Sequence, residues 1–145
     1  MKKNLLILIA TLLSLIFVNS TIEAQISEAN AKNTVENFFT FCKNNDFKNA
    51  STLLAYYGKD KARTYNDFFN PNNPDEFKEV KRVCKKVTAT LLISDSYSFG
   101  KFRDKVIEEK KFKSLDVIFL SGKQKVKQKV LLLEINGKIS IFDYN

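Results

Sequence analysis

Asn136-Gly137 stands between two runs of alternating side chains, residues 125–135 and 138–144, and restricts the fold of this chain more than any other feature. A two-residue type I′ turn needs positive φ at both positions, which Asn and Gly adopt at low cost. Such a turn pairs Ile135 with Lys138, Leu133 with Ser140, Leu131 with Phe142 and Val130 with Asp143. One face of the hairpin then carries Val126, Val130, Leu132, Ile139 and Ile141, and the other carries Leu131, Leu133, Ile135 and Phe142. A hairpin that is apolar on both faces has to be covered twice. Helices can cover one side; a curled sheet, a cavity wall or a second subunit is expected on the other.

The helices to do this come first in the chain. Ser27 is placed to cap a helix whose apolar positions Ala31, Val35, Phe38, Phe39 and Cys42 recur at helical spacing. Asn44-Asn45-Asp46 breaks that stripe, and Asp46 can cap a second helix carrying Phe47, Ala50 and Leu54 and ending near Gly58. A third helical segment is expected around Ala62, Tyr65, Phe68 and Phe69, with Asp60 as its cap. Asn70-Pro71-Asn72-Asn73-Pro74 is the clearest break. Pro74-Asp75-Glu76 then opens a fourth helix with Phe77, Val80, Cys84 and Val87 on its buried side.

From Val87 the period changes. Val87, Ala89, Leu91 and Ile93 alternate with Thr88, Thr90, Leu92 and Ser94, which predicts a strand. Residues 96–103 read as a strand or an ordered loop, residues 104–111 as a charged stretch of either kind, and residues 112–120 as a strand ended by Ser121-Gly122.

Lys2 and Lys3 precede an apolar run over residues 5–18, and Ile22-Glu23-Ala24 places a small residue before Gln25. This is the layout of a signal peptide cleaved after Ala24, with a rival cut after Ser20. A stable membrane span is not expected, because the apolar run falls short of the roughly 20 residues that cross a bilayer. The expected organisation is a signal peptide over 1–24 and one α+β domain over 25–145, periplasmic or secreted. Cleavage leaves 22 basic and 15 acidic residues and a net charge of +7.

The chain contains no His. That excludes a Ser-His-Asp or Cys-His nucleophile and the usual His-bearing zinc sites. Cys42 and Cys84 can be a disulfide, closing a loop worth roughly 4 kcal/mol in the chain-entropy picture, or two buried thiols. No metal site and no cofactor is expected.

Val35-Glu36-Asn37-Phe38-Phe39, Asn45-Asp46-Phe47, Leu53-Leu54 and Asn136-Gly137-Lys138-Ile139-Ser140-Ile141 together resemble the nuclear transport factor two-like, or cystatin-like, superfamily, and its small exported bacterial members in particular. Many relatives carry Trp after Gly-Lys in the last strand, where this chain has Ile139. The resemblance covers residues 29–144. It implies N-terminal helices packed on a curved antiparallel sheet, a cone around an apolar pocket, often paired through the sheet. It brings no activity with it, since the fold hosts isomerases, dehydratases, ligand binders and scaffolds.

Three side chains are candidates for a site. Asp116, in a strand beside Ile118 and Leu120, could serve as a general base if held on an apolar wall. Tyr65 and Tyr97 could donate hydrogen bonds to a ligand, although such Tyr more often cap a core. Lys123, Lys125, Lys127 and Lys129 project from one strand face, either as guards of an open edge or as a ladder for an anionic envelope polymer. No aromatic interleaves them, which argues against nucleic acid. The expected function is an exported, non-catalytic binding or scaffold domain, holding a small apolar ligand or a protein partner at its cavity or sheet face, with a homodimer through the sheet as one arrangement. The alternatives are a cofactor-free isomerase or dehydratase using Asp116, and electrostatic attachment through the lysines.

Overall fold

The computed structural model describes residues 26–144. The expected signal peptide lies outside the described residues. Helix α1 spans Glu28–Lys43, α2 Phe47–Ser51 and α3 Pro74–Leu92, followed by strands β1 (Ser96–Ile107), β2 (Lys110–Ser121), β3 (Gln124–Ile135) and β4 (Lys138–Tyr144). The strands form an antiparallel sheet in the order β1-β2-β3-β4, with the helices packed on one face. The chain is therefore an α+β protein built on an open four-stranded sheet.

Local chemistry accounts for the helix ends. Ser27 accepts a hydrogen bond from the Asn30 N–H at 3.2 Å, and Asp46 accepts from the Asn49 N–H at 3.2 Å. Asn73 Oδ1 accepts from the N–H groups of Asp75 and Glu76, satisfying donors that the first turn of α3 leaves free. Between α1 and α2, Asn45 takes the left-handed conformation (φ 55°), which Asn tolerates better than most residues.

Three expectations are corrected. The second helix stops at Ser51 instead of running towards Gly58, because the chain turns extended and pairs with β4. The Ala55 N–H donates to the Ile141 carbonyl at 2.8 Å, and the Ile141 N–H donates to the Leu53 carbonyl at 2.7 Å. The expected third helix is a series of turns over residues 61–66. The expected strand from Val87 is instead the last part of α3. Val87 and Leu91 continue the stripe of Val80 and Cys84 at helical spacing, so burial on the core overrides the local β-preference of Val and Thr.

The ambiguous residues 96–111 form β1 and its turn into β2. Glu108 and Glu109 both have positive φ, 46° and 66°, at the centre of that hairpin. The Asn136-Gly137 turn forms as expected, with φ of 51° and 76°. It pairs Ile135 with Lys138 and Leu133 with Ser140, and then a bulge at Phe142 shifts the register. Leu131 meets Asp143 and Val130 meets Tyr144, one residue beyond the expected partners. A bulge turns two consecutive residues of one strand against one of the other, which turn chemistry at the far end cannot foretell.

Both faces of the hairpin are covered. On the helix side, Val35, Phe38, Cys42, Val80, Cys84 and Val87 pack against Leu115, Val117, Phe119, Val130, Leu132 and Ile141. Each fully buried Leu, Ile, Val or Phe there contributes about 1.5–3 kcal/mol. On the opposite, outer face, Ala55, Phe112, Leu133 and Ile135 form a second cluster with Tyr65, Phe68, Ile107, Leu131 and Phe142. Within the chain, the cover on this side is the segment between α2 and α3, folded round the β4 edge.

Candidate functional site

Besides its backbone bonds to β4, the connection that wraps the β4 edge is gathered round one guanidinium. Arg63 donates from Nε to Asp67 at 2.6 Å, from Nη1 to Glu76 at 2.7 Å and from Nη2 to the Phe68 carbonyl at 2.9 Å. Its plane lies 4.1 Å from the centre of the Tyr56 ring. Hydrogen bonding to Arg63 holds the carboxyls of both Asp67 and Glu76 below the usual carboxylate range, against a smaller opposing effect of burial. Nothing in the spacing of the sequence marks Arg63; the available signal is that it is one of only three Arg among 24 basic residues.

This connection covers only part of the outer face. Beyond Phe112 the face continues through Ser114, Asp116, Ile118 and Leu120 of β2, flanked by Arg103 and Lys105 of β1 and by Lys125, Lys127 and Lys129 of β3. All five basic side chains are exposed, whereas Ile118 and Leu120 are half-buried.

Asp116 lies at the centre of this open part, 3% exposed. Both carboxylate oxygens accept from Arg103 Nη2 at 3.0 Å, and Lys127 Nζ lies 4.0 Å from Oδ2. Two features of β1 make room for this. The β1–β2 register shifts between Phe99 and Phe102, and Gly100 sits directly over Asp116. A Cβ on Gly100 would come within 3.0 Å of the Asp116 Cβ and 3.2 Å of Ile118 Cδ1, so any side chain there would have to push one of them aside by a few tenths of an ångström. The arrangement sets one buried carboxyl group inside a basic surface and orients the guanidinium above it.

The three candidate residues are not brought together. Asp116 is on the outer face, bonded to Arg103. Tyr65 is also on that side but in the covered part, its ring 4.9 Å from Phe142 and 5.7 Å from Phe112, with its hydroxyl 3.5 Å from Glu108. Desolvation, then the Glu108 charge, raises its pKa. Tyr97 is on the helix side, edge-on to Phe39 at 5.3 Å, and its pKa is raised by desolvation and by Glu36. Asp116 and the hydroxyls of Tyr65 and Tyr97 therefore do not converge.

Cys42 and Cys84 are bonded to each other and fully buried, tying α1 to α3 across a Cα–Cα distance of 4.6 Å. A concavity of about 810 Å³ opens beside Ile26 and the β1–β2 hairpin, lined by Val106 and Phe112 as well as by Asp104, Lys111, Lys113 and Glu134. Among the described residues no helix is long and apolar enough to cross a membrane. Comparison with family models, with curated proteins and with solved structures finds no match to this chain.

Proposed function

We propose that the chain is an exported, non-catalytic binding domain of the nuclear transport factor two-like kind, which holds an anionic partner on the open part of its outer sheet face. The observation that carries this reading is the uneven covering of that face. The connection between α2 and α3 seals the end around Phe112 and Ile135 and leaves Arg103, Lys105, Lys125, Lys127 and Lys129 exposed round the buried Asp116. A predominantly basic surface of this kind raises the encounter rate and selects partners by charge.

Asp116 supports binding better than catalysis, because its oxygens are already engaged by Arg103 and no Tyr hydroxyl faces it. The Cys42–Cys84 bond suits an oxidising compartment, in keeping with the signal-like first residues.

The test is binding to polyphosphate and to polyglutamate across a salt series. Affinity is expected to fall steeply as salt rises, and to drop by about tenfold when Lys125, Lys127 and Lys129 are all changed to Glu. Association that ignores salt, or that survives the triple change, would overturn the reading.

A further inference from the structure

Strand β3 outruns its neighbour. The pairing with β4 reaches only from Ile135 to Val130, where Tyr144 is the last partner. Among the described residues, the stretch 124–129 therefore pairs with β2 on one side and with no strand on the other.

The pairing of β4 settles which backbone groups point to that open side. Ile141 turns its N–H and C=O away from β3, to Leu53 and Ala55. In an antiparallel pair the residues that exchange hydrogen bonds alternate with those that do not. Leu132, opposite Ile141, thus turns its groups towards β2, and Leu133 turns its own towards β4. From Leu132 to Gln124 the β2–β3 register runs without a shift. The alternation therefore continues to Lys129, Lys127 and Lys125, whose N–H and C=O groups face the open edge.

The same three residues carry their ammonium groups on the outer face, roughly 6.8 Å apart along the strand. Between them, Val126 and Gln128 point to the helix side, opposite Phe119 and Val117. Val126 is 51% exposed, and the buried Oε1 of Gln128 has no hydrogen-bond partner. Charge and backbone groups thus alternate in step along one edge, with the apolar Val126 exposed on the other face.

Lysines on an open edge also guard against self-association, since a second copy paired here would set Lys against Lys. That repulsion excludes basic strands and favours acidic ones. An anionic polymer without a peptide backbone could neutralise the lysines but would leave the edge N–H and C=O groups and Val126 unmatched. The free edge of β1 is a poorer template, because the bulge between Phe99 and Phe102 interrupts it.

We propose that the β3 edge over residues 124–129 binds an extended peptide segment, acidic at alternate positions and apolar between them, as an added strand in line with β4. This rests on the outer-face reading above and names the anionic partner as a protein segment. Main-chain bonds to Lys125, Lys127 and Lys129 supply affinity, and the alternating side chains supply the register.

Amide hydrogen exchange on the folded protein tests it, with a short capped peptide alternating Glu and Val as the probe. At saturation the amides of Lys125, Lys127 and Lys129 should gain about tenfold protection, while those of Val126 and Gln128, already turned to β2, change little. Changing the three lysines to Glu should abolish this and transfer binding to a peptide alternating Lys and Val, with a preference of about tenfold in each direction. Circular dichroism of the variant checks that the fold is kept. Peptide binding without the alternating protection would overturn the added strand. Binding of polyphosphate but not of the Glu-Val peptide would overturn it while leaving the outer-face reading intact. Failure of both probes would overturn both.

Discussion

Gly100 and Arg103 set the surroundings of Asp116 between them, one by leaving space and the other by filling it with charge. Gly100→Ala is expected to cost about 1–3 kcal/mol, read from urea denaturation, because its Cβ would press on Asp116 and Ile118. Arg103→Ala leaves a buried carboxylate without its main partner, and Asp116→Asn in the same chain should recover part of the loss. Arg63 governs stability against acid. Its carboxylate partners Asp67 and Glu76 have folded-state pKa values below their unfolded values. Their contribution is therefore complete above the unfolded range near about pH 4 and drains away as pH falls through the lower folded values. Urea midpoints should drop on that acid limb, and Arg63→Ala should both lower stability at neutral pH and flatten the limb.

At the scale of elements, α3 is the instructive case. Its last residues have the composition of a strand, yet Val87 is fully buried on the helical stripe and Thr90 satisfies its hydroxyl on the Lys86 carbonyl at 3.0 Å. Thr88→Pro should therefore cost roughly 3 kcal/mol or more, because a helix interior loses a bond and gains a clash. The disulfide ties that helix to α1. Replacing Cys42 and Cys84 together by Ala should remove roughly 4 kcal/mol, seen as a lower melting temperature that no longer responds to reductant. The strand-like turn at residues 53–56 works differently. It occupies the β4 edge, so that Leu54 enters the helix-side core while Ala55 joins the outer cluster.

The whole molecule is a sheet covered by helices over most of one side and by the α2–α3 connection over part of the other. Its open part bears basic side chains, and both its β1 edge and the lower β3 edge lack a neighbouring strand among the described residues. Changing Lys125, Lys127 and Lys129 to Thr should leave the fold unchanged but promote edge-to-edge association, visible by sedimentation velocity as species larger than those of the parent chain. If the lysines were merely solvated decoration, the variant would sediment as the parent does.

The α+β class, the caps at Ser27 and Asp46, the Asn136-Gly137 turn and the two apolar faces of the last hairpin were all legible in the residues themselves. Each depends on contacts within a few positions along the chain, which periodicity and turn chemistry report directly. The end of α2, the helical fate of residues 87–92, the bulge at Phe142 and the Cys42–Cys84 bond were decided by groups distant in sequence. So was the candidate site. Asp116 could be picked out as an unusual carboxylate on an apolar strand, but its face, its Arg103 partner and its separation from Tyr65 and Tyr97 depend on strand pairing. Local sequence determined which side chains share a face of this protein; only the tertiary structure decided which face was covered, by what, and which edge was left open, because burial is a competition among segments that no one segment encodes.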